Sequence, residues 1–137
     1  MTILYMPDEK VPLRIDDLTV SVQQLTMAQK ATIIEKLTQA NNPMALVDAS
    51  RLAVKYGVKG LDGVTLSNGT PYKVEFEGEI LSDKSVDAIL CLPQSDKIQG
   101  ACFALLKGLV NPLVDANGKP IPGVEIIAAK SKKAAKN

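Results

Sequence analysis

Cys91 and Cys102 are the only thiols in a chain of 137 residues, and no histidine accompanies them. A thiolate nucleophile needs a neighbouring base, and a soft metal site needs clustered Cys and His ligands, so both chemistries lack their parts here. Imidazole proton transfer near neutral pH is excluded outright. Both cysteines fall inside apolar helical patterns and read as reduced, buried core residues. What remains for chemistry is carboxylates and lysines.

Glu75, Glu77 and Glu79 alternate with Phe76, Gly78 and Ile80. One strand face could thus carry three carboxylates toward a calcium or magnesium ion, but no further oxygen ligands are arranged around them, and the alternation reads first as an ordinary solvent face. The run Gly57-Val58-Lys59-Gly60-Leu61-Asp62-Gly63 has the glycines and lysine of a phosphate cradle. It lacks Gly-Lys-Ser/Thr opening a helix after a strand, and so reads as a helix terminus and turn. Asp16 and Asp17 precede the first expected helix, where they favour its dipole rather than acid/base work. Lys130, Lys132, Lys133 and Lys136 give the last eight residues a charge of +4. Without an aromatic to stack on bases, that run reads as a solvated, disordered tail rather than a nucleic-acid site. No catalytic residue, cofactor site or metal site is expected, and the chain reads as a protein that binds or assembles.

The elements that position these residues follow from periodicity. Val11, Leu13 and Ile15 alternate as a short strand that Pro12 demotes to an edge or an extended segment. Ser21 and Gln24 have capping-box spacing and Asn41-Asn42-Pro43 is a stop, which predicts a helix over 21–40. Asn42 before Pro43 caps a second helix over 43–56, closed by Gly57. Asn68-Gly69 predicts a minor hairpin near 64–76. Ser82 opens a helix over 82–92 that Pro93 ends, and Ser95 opens another over 95–109. Residues 124–127 fit either a strand or an extended arm. The expected fold is helix-dominated α+β, with one domain over 1–129 and a flexible lysine-rich tail over 130–137.

Apolar residues make up 46% of the chain and charged residues 23%, with two Phe, three Tyr and no Trp, so one aliphatic core is expected. No stretch reaches the apolar length of a membrane span, and the N-terminus lacks the order of a secretion signal, which points to a cytoplasm. Setting the four tail lysines aside leaves 12 basic and 15 acidic residues in 1–129, a mildly acidic body. No nucleic-acid face is expected on it. Val20, Met27 and Ile34 repeat every seven residues as a second apolar face of the first expected helix. That face serves either packing by later segments or self-association and groove docking.

The element order, with Leu18-Thr19-Val20, the passage Arg51-Leu52-Ala53-Val54-Lys55-Tyr56-Gly57-Val58-Lys59-Gly60, Leu81-Ser82-Asp83 opening a helix and the lysine-rich end, resembles the tail assembly chaperones of long-tailed phages of the siphophage type. The resemblance spans most of the chain but rests on no single signature string. It implies a scaffold without catalytic residues, working in the host cytoplasm. Such a protein self-associates, solubilises the tape-measure protein, helps recruit the major tail protein and is absent from the mature virion. It also implies a longer form made by programmed frameshifting, with the lysine tail at the junction. On this reading the contact residues are Val20, Met27 and Ile34, then Leu61, Val64 and Leu66. A small structural protein of the head–tail connector type is the alternative.

Overall fold

The computed structural model describes residues 2–39, 41–115 and 117–127. In chain order the elements are β1 (Ile3–Leu4), β2 (Val11–Ile15), β3 (Leu18–Val22), α1 (Met27–Leu37), α2 (Pro43–Gly57), β4 (Val58–Asp62), β5 (Phe76–Glu77), β6 (Ile80–Leu81), α3 (Asp83–Leu90), α4 (Ser95–Ala104) running into a 3-10 turn (Leu105–Lys107), β7 (Val110–Asn111) and β8 (Val124–Ile126). Among the described residues, four helices and a set of sheets make the α+β class. The sheet is larger than the single minor hairpin expected.

Its centre is the β2–β3 hairpin, in register from Val11 opposite Val22 to Ile15 opposite Leu18. Asp16 and Asp17 form its two-residue turn, and Asp16 takes φ 56°, a left-handed conformation that aspartate tolerates. These carboxylates therefore sit at a strand turn rather than at a helix N-terminus. Every second residue, Val11, Leu13, Ile15, Leu18, Val20 and Val22, is buried. The full antiparallel order is β4-β3-β2-β8. Contrary to expectation, β2 is thus interior despite Pro12. The fold tolerates the proline because the β8 ladder begins only at Leu13, and the Pro12 carbonyl accepts from the N–H of Ile127 just past the end of β8.

The helix expected over 21–40 is shorter and starts later. Leu18, Val22 and Leu25 fit helical spacing, but Leu18, Val20 and Val22 also alternate, and β-branched residues beside a partner strand favour the sheet. The capping box that forms is Thr26 with Gln29, in which the Thr26 side chain accepts from the Gln29 N–H and the Gln29 side chain accepts from the Thr26 N–H. It has the same spacing as Ser21 and Gln24, five residues on. Ile33 is the buried residue of α1, so this helix lies on the body's surface against α2.

Helix α2 begins as expected, with Asn42 accepting from the Met44 N–H and Pro43 in the first turn. Its buried stripe, Ala45, Ala49, Ala53 and Gly57, recurs every fourth residue and lets α4 approach closely. Gly57 keeps a negative φ and runs directly into β4, so it is not the left-handed terminator expected. A Cβ there would lie 2.7 Å from Leu105 Cδ1, so the glycine answers a lack of space. Residues 58–62, expected as a turn, form an edge strand on β3.

Asn68-Gly69 does turn the chain, with Gly69 at φ 89° and Thr65 bridged to Pro71. The ladder after it belongs to β5 and β6 around Gly78. Ser82 caps α3 as expected, while α4 has Gln94 rather than Ser95 at its cap. Residues 124–126 resolve as a strand. Buried residues from Tyr5 to Leu113 join one aliphatic cluster. None of the described helices is long and apolar enough to cross a membrane.

Candidate interaction surface

The six residues singled out from sequence separate into two groups. Val20 is 1% exposed in β3, between Leu13 and Leu61, and Leu61 is itself buried in β4. Neither offers a surface, and Val20 cannot share a helix face with Met27 and Ile34 because it belongs to a strand. Met27 at 78% and Ile34 at 48% are exposed on α1 with the seven-residue spacing intact. Leu66 is exposed at the Asn68-Gly69 turn, while Val64 is half-buried against the core. Lys130, Lys132, Lys133 and Lys136 lie outside the described residues.

Further large apolar residues are exposed on α2. Met44, Leu46 and Val47 project from the first turns of α2. Leu46 also lines an open groove of about 520 Å³ with Leu37 of α1, Phe103 of α4 and Leu106 of the 3-10 turn. The start of α2, Pro43-Met44-Ala45-Leu46-Val47, is apolar on several sides, which is the mark of a helix needing more than one partner. Leu106 and Phe103 sit beside the buried residues Cys102 and Leu105, and the apolar band of α4 is therefore wider than the core can cover.

Ion pairs hold the helices that carry this surface. Lys36 reaches Asp48 at 3.9 Å, tying α1 to α2. Arg51 pairs with Asp87, and Lys55 with Asp83 at 2.9 Å, tying α2 to α3. The Lys55 ammonium, by its hydrogen bond and charge, holds the Asp83 carboxyl below the usual range. Asp16 pairs with Lys97 of α4 at 2.8 Å, which fixes the hairpin turn to that helix.

Cys102 is fully buried, and burial pushes its thiol up to about 12, far from a nucleophilic thiolate at neutral pH. Cys91, expected in the core, is exposed, because α3 ends at Leu90 and the chain turns before Pro93. Glu75, Glu77 and Glu79 are all exposed, and among the described residues no group of three or more potential ligands could hold a metal ion. The groove on α1, α2 and α4 is what this arrangement offers, an apolar surface able to receive apolar side chains of another chain. Comparisons with protein-family models, curated protein sequences and solved structures give no match to this chain.

Proposed function

We propose that this chain is a non-catalytic assembly chaperone of the kind that serves long-tailed phages. In this role it self-associates in the host cytoplasm, binds and solubilises the tape-measure protein, and helps to bring the major tail protein onto it. The supporting observations are the exposure of Ile34, Met44, Leu46 and Val47 and the apolar groove lined by Leu37, Leu46, Phe103 and Leu106. Apolar area left open to water is costly unless a partner covers it. Aliphatic contacts of modest individual strength, repeated over many copies, suit a partner that must later be displaced.

Light scattering on the protein alone and after co-expression with the tape-measure protein tests this. The expected result is a multimer that carries the tape-measure chain in soluble form, and Leu46→Asp with Phe103→Asp is expected to lose that cargo while remaining folded. A monomer that leaves the tape-measure chain insoluble overturns the reading.

A further inference from the structure

Strands β3 and β4 pair one for one from Thr19 opposite Asp62 to Ser21 opposite Gly60, and then Val22 lies opposite Val58. Lys59 is the residue left over. A bulge of this kind bends its strand and re-aims the extra side chain. Val58 and Leu61 keep their places in the core, while Lys59 turns half-buried into a polar cleft.

The cleft consists of two adjoining cavities of about 190 and 290 Å³ that meet at Gln23, Lys59 and Glu79. Lys10 and Phe76 wall the first. The Lys59 ammonium donates to the Glu79 carbonyl at 2.6 Å, which occupies one of its three hydrogens. Among the described residues no carboxylate closes an ion pair with Lys59 or Lys10. Burial lowers the Lys59 pKa most, the charge of Glu79 offsets part of this, and the charge of Lys10 lowers it further. The bulge thus holds an ammonium with donors to spare, partly stripped of water and lining one cavity with the ammonium of Lys10.

We infer that this cleft binds a small oxyanion, a carboxylate or a phosphate group, between Lys10 and Lys59. Such a group takes charge-assisted hydrogen bonds from both ammonium ions and relieves their mutual repulsion. Glu79 competes with it for the same positive charge. The cavity of Lys10 and Lys59 shares no lining residue with the apolar groove, and its neighbour reaches α1 at Thr26 and Gln29 whereas the groove uses Leu37 at the other end, so the site stands independently of the chaperone reading.

The test is an NMR titration of the ¹⁵N-labelled full chain with sodium phosphate and, separately, sodium acetate, against sodium chloride at matched ionic strength. Saturable shifts are expected at the amides of Gln23, Lys59, Gly78 and Glu79. Saturation by phosphate alone, acetate alone or both identifies the group bound. Lys59→Gln and Lys10→Gln are each expected to weaken binding by about tenfold, and Glu79→Gln to tighten it by about threefold. The opposite sign of the Glu79 variant separates a ligand contact from a purely structural effect, and Lys10→Gln carries the test if Lys59→Gln does not fold. Phosphate and acetate both behaving like chloride, or either lysine variant binding as the wild type does, overturns the inference.

Discussion

The side chain of Gln24 holds the backbone of Leu109 by both of its polar groups, donating to the carbonyl at 2.9 Å and accepting from the N–H at 2.8 Å across 85 residues of sequence. The same amide nitrogen donates to the Tyr5 carbonyl at 3.0 Å. One glutamine thereby joins the β3–α1 connection, the N-terminal strand and the exit of the 3-10 turn. These groups are part-buried, and leaving them unpaired costs about 1 to 3 kcal/mol. Gln24→Ala is expected to lower the urea midpoint by the equivalent of about 2 kcal/mol. Gln24→Glu is expected to be at least as costly, because a carboxylate cannot donate to the two carbonyls. Equilibrium urea unfolding at unchanged m-value checks both.

Val20 and Met27, seven residues apart, separate just as sharply in energy. Val20 is enclosed by the sheet's covered face and Met27 stands in solvent. Val20→Ala is expected to cost about 2 kcal/mol through lost burial and the cavity left behind, and Met27→Ala to stay within about 0.5 kcal/mol. Thermal unfolding of the two variants, compared at one temperature, decides between this arrangement and a shared helix face.

Much of the fold was legible where local chemistry has one solution. Asn42 and Pro43 can only begin a helix well, and α2 lies where they put it. The β3–α1 boundary was not legible, since Leu18 and Val22 belong both to the alternating set with Val20 and to the helical set with Leu25, and two capping-box spacings follow each other. Which of them forms depends on β2 pairing with β3, a tertiary event. Strand β4 was hidden because Gly57, Gly60 and Gly63 punctuate it like a turn, although at Gly57 the glycine serves packing. Of the six residues picked by spacing, Met27, Ile34 and Leu66 are exposed. The apolar groove joins Leu37, Leu46, Phe103 and Leu106 from four elements, and no periodicity within one element can report such a meeting.

Gly57 offers a test of the packing argument, because two effects of opposite sign meet there. Alanine is the better helix former by about 1 kcal/mol, yet its Cβ would lie 2.7 Å from Leu105 Cδ1 in a fully buried neighbourhood. Overpacking of this kind costs about 1 to 3 kcal/mol, so Gly57→Ala is expected to be net destabilising by about 1 kcal/mol. With Leu105→Ala already present the obstruction is gone, and the same substitution is expected to stabilise. A double-mutant cycle in urea measures the change of sign.

The two cysteines should be separable by reaction and by pH. Cys91 is exposed and Cys102 buried, so a thiol reagent at pH 8 is expected to label one equivalent in the native protein and two in denaturant. Burial raises the Cys102 thiol from 9.0 to about 12, so above pH 9 the unfolded chain releases this proton while the folded one keeps it. The contribution of Cys102 to stability is therefore complete below pH 9 and falls as pH rises toward 12, by at most about 1.4 kcal/mol per pH unit. Other groups titrate in that window, so the informative quantity is the difference between the wild type and Cys102→Ala. Urea midpoints from pH 8 to 11 are expected to fall more steeply for the wild type. Parallel pH profiles for the two proteins would show that Cys102 ionises as freely in the fold as in the unfolded chain.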